Sequence, residues 1–390
     1  MKQITSSPKS HREIAERLID GRSSVGSVAL SPDGGHVAFV VSTIDLAKNV
    51  TRSRVWIDDA PVTGGDHDTN PTWSPDGRHL AFTSKRGAKE SDSTLHVLPV
   101  TASGEVRTLC TMPDGLDSVA WSPDGQWLAF TSRTRHERYE AKDASWQAPR
   151  KIERFFSRLN GEDWIFDRPQ HVHVVAADGT GTPRNLTPGE FQHDGVSWLR
   201  DSSGVVTAAQ RHDTWDRDLA RDLYVVALAP ADGDGIRCLT AHDGDYSSPS
   251  VSPDGTEVAF IGFGDPSTFP QNAKVGVLPI GSAGAPESEI RWISTGLDRT
   301  FETAAGRPAP VWESDHHLLA IAEDRGATHL YRVSTDGTGA PAQVTTGPVT
   351  VSSFDAARGV VATARDCVDH PAELYLGDER RTSVGDAVAD

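Results

Sequence analysis

The chain has 390 residues, 35 glycines, 24 prolines and a formal net charge of −17. That length is ample for one large domain and too short for that domain plus a second of similar size. The acidic balance speaks against general nucleic-acid binding, and no stretch approaches the roughly 18 consecutive apolar residues of a membrane helix.

Residues 1–20 hold no apolar run of signal-peptide type. They read as a disordered start followed by a short N-terminal helix over 11–19, with Ile14, Ala15, Leu18 and Ile19 on one face. From residue 21 onward the pattern repeats. Ser-Pro-Asp-Gly occurs four times, at Ser31, Ser74, Ser122 and Ser252, each time followed two residues later by an aliphatic residue, Ala and Phe. Proline pre-sets the second turn position, Ser and Asp bond the local backbone, and Gly tolerates the closing geometry. Apolar runs on both sides make each copy a β-hairpin.

Worn copies at 197–204, 311–315 and 353–359 fill the gaps and bring the hairpins to seven. Third strands are expected at 95–100, 172–176, 223–227, 275–280, 329–333 and 373–376. Shorter fourth strands are expected at 106–109, 184–187, 236–240, 291–294 and 343–345. Four strands per repeat, arranged radially, predict an all-β, seven-bladed β-propeller of four-stranded blades over 21–390. The last repeat carries its own fourth strand near 380–383. The ring is therefore expected to close by packing, without the strand exchange that latches many WD-repeat propellers.

The repeat is broken most strongly at 133–170, an insertion between the second and third strands of the third unit. Eight basic residues, Arg133 through Arg158, face only Glu137, Glu140, Asp143 and Glu153 there, among Tyr139, Trp146, Phe155, Phe156, Trp164 and Phe166. A basic, aromatic segment in an acidic protein suits a docking or substrate-facing element. Alternatively it is a long loop packing its aromatics on the propeller rim. The loop 211–218 occupies the same place in the fourth unit, so both should emerge on one face, opposite the turns. It is read either as a pocket mouth or as a solvated hairpin tip. Arg150, Lys151, Arg154, Trp164, Arg211 and Trp215 are the candidate substrate- or partner-contacting residues.

His-Asp pairs recur at 67–68, 193–194, 212–213 and 242–243. Strand-end hydrogen bonding explains such recurrence better than a metal ring. His171 and His173, on one strand face, read as structural. No residue is assigned to a metal and no cofactor is implied. Cys110, Cys238 and Cys367 lie far apart, which argues for reduced thiols and a cytoplasmic setting. No Gly-x-Ser-x-Gly elbow, His-Glu-x-x-His or phosphate-binding loop occurs, so no catalytic residue is assigned.

Two segments carry a family resemblance. Leu18-Ile19-Asp20-Gly21-Arg22, leading into 28–34 and 37–41, resembles the opening of the propeller in bacterial prolyl-oligopeptidase-family serine peptidases, above all the acylaminoacyl-peptidase-like branch. The stretch 158–164, running to 167–175, resembles the same branch, and the similarity spans essentially the whole chain. In that family the propeller precedes an α/β-hydrolase domain with a Ser-Asp-His triad, caps the active site and admits short or unstructured peptides. The resemblance thus implies a non-catalytic gating and docking domain. Its partners would be an α/β-hydrolase domain, in cis or in trans, and short peptides. Hydrolysis by this chain alone is not expected. The Ser-Pro-Asp-Gly repeats are shared with TolB-like propellers, which leaves a stand-alone protein-binding propeller as the alternative. No export signal supports that alternative, and the sequence does not set the oligomeric state.

Overall fold

The computed structural model describes residues 11–85, 92–101, 104–160, 163–230, 233–268, 270–304 and 306–386. The disordered start expected at 1–10 lies outside the described residues, as does the Ile14 side chain of the expected helical face. One α-helix, His11–Ile19, precedes the sheets and leaves Leu18 and Ile19 exposed.

The remainder is antiparallel β-structure taken up in chain order. Five sheets have four strands each, beginning with Ser23–Leu30, Asp68–Trp73, Asp117–Trp121, His193–Trp198 and Gly244–Val251. The last eight strands form one sheet, whose halves, Val311–Gln343 and Val349–Arg380, meet through the parallel pair Thr328 and Thr350. The core lies between neighbouring sheets. Val40, Val55 and Phe82 fill the first interface, and Leu95, Leu128 and Phe130 the second. The final strands pack on the first: Phe39, Val41, Ala362, Ala364 and Leu374 form one buried cluster. The bonds from Val25 N–H to Ala372 O (2.7 Å) and from Leu30 N–H to the Asp355 carboxylate Oδ2 (2.7 Å) cross the same seam. Among the described residues, first and last sheets are each built from contiguous chain, with no strand exchanged between them.

The Ser-Pro-Asp-Gly turns are closed by their own side chains. Ser31 Oγ–H donates to Asp33 Oδ1 (2.6 Å), while Ser31 Oγ accepts from His36 N–H (2.9 Å). The same pair of bonds recurs at Ser74, Ser122 and Ser252. The turn glycines stand at φ +73°, +68°, +71° and +78°, the left-handed region that only glycine enters without a Cβ penalty.

At four of the hairpins a tryptophan just before the turn hooks the sheet to an earlier one. Nε1–H of Trp73, Trp121, Trp198 and Trp312 donates to the carbonyls of Ala29, Thr72, Ala120 and Ser250, at 2.9–3.1 Å. The fifth sheet has Val251 at this position, and its N–H donates to Ser197 Oγ instead (2.9 Å).

Most fourth strands are shorter than the sequence pattern suggested: Arg184–Asn185, Ile236–Cys238, Arg291–Trp292 and Ala342–Gln343. The chain still follows its neighbour beyond those limits, through a side chain. Leu186 N–H donates to Val172 O (2.8 Å), and Val172 N–H donates to Thr187 Oγ1 (3.0 Å). Thr63, Thr240, Ser294, Thr345 and Thr382 repeat this device. A hydroxyl thus replaces the backbone acceptor, and strand pairing stops where it begins.

Candidate functional site

The loops joining second to third strands leave the sheets on the face opposite the Ser-Pro-Asp-Gly turns, and there the insertion is built. Trp127–Arg133 pairs with Gln170–Ala176, the pairing beginning at Arg133 with Gln170, so residues 134–169 project from the sheet edge. They contain two 3-10 turns, Glu137–Glu140 and Ala144–Trp146, and a two-stranded ribbon, Arg158–Leu159 with Asp163–Trp164.

Two carboxylates anchor this segment. Buried Asp167 accepts from Tyr139 O–H (2.9 Å) and Arg150 Nε–H (2.9 Å), with Arg138 Nε at 3.7 Å. Arg150 also donates to the Tyr139 hydroxyl (3.0 Å) and stacks over Trp164, 4.6 Å from the ring centre. Asp114, beyond the last strand of the second sheet, receives two bonds from Arg135 (2.6 and 2.7 Å) and lies 3.2 Å from Arg168. Burial alone would raise the Asp114 carboxyl, but the Arg135 and Arg168 guanidinium groups outweigh it and hold it below the usual range.

The 211–218 loop locks onto the insertion. Phe155 N–H donates to Asp216 Oδ2 (2.8 Å), and Arg154 pairs with Glu190 while its guanidinium lies 5.4 Å from the Trp215 ring centre. Trp215 and Asp216 are buried, so this loop is not the solvated tip that its charge density suggested. Arg211 lies 4.9 Å from the Phe191 ring centre and donates to Nε2 of His193 (3.2 Å). Burial, and then the nearby Arg211 and His171, depress His193 to about 3. Burial likewise holds His171 at about 4, with Thr134 Oγ1 at 2.8 Å and Gly189 O at 3.0 Å from its ring nitrogens.

A cavity of about 810 Å³ opens on this face, lined among others by Arg133, Phe156, Arg168, His193, Gln210 and Asp245. A second hollow, of about 450 Å³, lies between Lys151, Glu153, Arg154, Phe166, Glu190 and Trp215. On the same insertion Trp146 and Phe155 are 73% and 78% exposed and Ile152 is 53% exposed.

The six residues singled out from the sequence therefore divide. Arg154, Lys151 and Trp215 meet at the smaller hollow, and Arg211 borders His193, a wall of the larger cavity. Arg150 and Trp164 pack on each other inside the insertion. Sequence reasoning passed over the anchors Asp114, Asp167 and Asp216, because nothing in the local pattern separates a buried carboxylate from its many solvated neighbours. Three of the four His-Asp pairs place their aspartate in strand-end hydrogen bonds, Asp68 to Gly65 N, Asp194 to Gly195 N and Asp243 to Tyr246 O–H. His212 and His242 come together instead, their ring centres 5.3 Å apart.

No protein-family model matches the chain. An uncharacterized peptidase of Bacillus subtilis, YuxL, is 26% identical over 215 residues, covering 52% of this chain and 32% of that protein. Among solved structures, the acylaminoacyl peptidase of Pyrococcus horikoshii superposes with a TM-score of 0.68 at 17% identity, over 93% of this chain and 52% of that one. The β-propeller domain of the Trilobed protease from Pyrococcus furiosus, described as having an open velcro topology, gives 0.65 at 16% identity, over 93% and 99% of the two chains. The likeness establishes the β-propeller fold, and these neighbours are of the family whose resemblance the sequence carries. The chain spans about a third of the curated relative and about half of the acylaminoacyl peptidase.

Proposed function

We propose that this chain is the non-catalytic propeller of a prolyl-oligopeptidase-type serine peptidase, a seven-bladed ring that caps an α/β-hydrolase domain and gates the admission of peptides. The blade count treats the eight-stranded sheet as two blades sharing one bridge pair, which fits the seven separate core clusters. The observation that carries the docking role is the exposure of Trp146, Ile152 and Phe155 on the insertion whose residues also line the cavity. Exposing that much aromatic surface costs solvation unless a partner covers it. The exposed Leu18 and Ile19 of the N-terminal helix add a second apolar contact. Peptides are the class admitted because the cavity wall combines guanidinium, amide and carboxylate groups, which match backbone amides and charged chain ends.

The test is binding of an α/β-hydrolase domain supplied in trans, together with turnover of aminoacyl-nitroanilide substrates. The chain alone should show no turnover, and Phe155→Asp should weaken docking. Serine-directed labelling of the chain alone would overturn the non-catalytic reading, and unchanged docking by Phe155→Asp would remove the insertion from the interface.

A further inference from the structure

Three side chains that no part of the docking face uses converge between the fourth and fifth sheets. Asp222, the first residue of the strand Asp222–Ala227, is fully buried. His212 comes from the loop before that strand, and His242 from the link leading into Gly244–Val251. One ligand atom from each of the three lies within 4.8 Å of the other two.

Of the three candidate ligand atoms one has no partner, and the other two are hydrogen-bonded to each other. Asp222 Oδ1 accepts from Thr240 Oγ1–H (2.6 Å) and from His242 N–H (2.9 Å), which leaves Oδ2 facing His242 Nδ1. His212 Nε2 lies 2.9 Å from Asp218 Oδ1, so the ring proton sits on Nε2 and Nδ1 is unprotonated. That Nδ1 is buried and has no hydrogen-bond partner. A buried imidazole nitrogen with its lone pair unused is costly, and a carboxylate on the opposite nitrogen is the arrangement that orients metal-bound histidines.

We propose that His212 Nδ1, Asp222 Oδ2 and His242 Nδ1 form a divalent transition-metal site, with zinc the ion that fits best. Two imidazoles and one carboxylate are a borderline-soft donor set that suits zinc over calcium or magnesium. Ligands about 2.1 Å from one four-coordinate ion stand about 3.4 Å apart, so His212 Nδ1 moves inward while the hydrogen-bonded Asp222 and His242 atoms part slightly to admit the ion. His242 is 45% exposed on its side chain, which gives the ion a path in and leaves the fourth position to water. On binding, the metal replaces the proton between His242 Nδ1 and Asp222 Oδ2, and that proton is released to solvent. The ion ties the 211–218 loop, which carries the buried Trp215, to the link between two sheets. It is a clamp on the docking face, independent of any partner domain.

The experiment uses the full chain, stripped with a chelator and free of any histidine tag, titrated with Zn²⁺ by calorimetry and with Co²⁺ by visible absorption. One equivalent should bind, the Co²⁺ form should show the intense bands of a four-coordinate ion, and the thermal midpoint should rise. His242→Ala and His212→Ala should abolish binding, and Asp218→Asn should weaken it about 10- to 100-fold. His242→Gln, confirmed folded by circular dichroism, guards against loss of fold as the cause. A folded wild-type chain that takes up no Zn²⁺ at micromolar concentration would overturn the proposal, as would binding unchanged in folded His242→Gln.

Discussion

The two faces of the ring are held by different physics. On the turn face each Ser-Pro-Asp-Gly copy closes on itself: a serine, an aspartate two residues on, and a left-handed glycine repeat within six residues. On the insertion face the closures are long-range, such as Arg135 with Asp114 across 21 positions or Phe155 with Asp216 across 61. Local closures need only short-range sequence agreement and tolerate repetition. Long-range closures with buried charge define one particular surface, which is where recognition is expected.

The sharpest way to break this contrast is to remove a buried anchor. Asp167→Ala leaves the Arg150 and Arg138 guanidinium groups without their carboxylate, and should cost about 3–5 kcal/mol in urea unfolding. Limited proteolysis should then cut first between Arg138 and Arg158. If the loss is no larger than for a surface aspartate, the insertion is not held as described.

Acid should separate the two faces next. His171 is held near 4 by burial, against about 6.5 in an unfolded chain. The unfolded state therefore binds more protons across this window, and stability present at neutral pH is lost as pH falls from about 6.5 toward 4. The effect is up to about 3 kcal/mol, and His171→Gln should flatten that slope. Asp33, Asp76 and Asp254 on the turn face are held below the usual carboxylate range, first of all by the serine hydroxyl donating to each. Their contributions are lost only below about pH 4. Hydrogen exchange followed against pH should show the insertion face opening first, and simultaneous opening would contradict the assignment.

Smaller effects test the turn face itself. Gly125→Ala forces a Cβ into the left-handed region and should cost about 1–2 kcal/mol. Trp121→Phe keeps most of the packing but loses the bond to Thr72 O, for about 1 kcal/mol. Both should leave docking unchanged, which Lys151→Glu and Phe155→Asp should not.

How much the sequence discloses follows the same division. The Ser-Pro-Asp-Gly copies are legible because each turn is fixed by its own four residues. The tryptophan hooks escaped the sequence reading, because the acceptors of Trp73, Trp121 and Trp198 lie in the preceding sheet, which only the fold brings near. The fourth strands looked longer than they are because Thr187 and Thr240 pass as strand residues while serving as hydroxyl acceptors. Asp167 and Asp222 gave no local signal, since burial is set by segments distant in the chain.

The most direct test of the account is calorimetric titration of an α/β-hydrolase domain with the wild-type chain, Phe155→Asp and Gly125→Ala. The account predicts saturable binding that Phe155→Asp weakens at least tenfold and Gly125→Ala leaves intact. Equal affinities for wild type and Phe155→Asp, or no binding by any of the three, would contradict it.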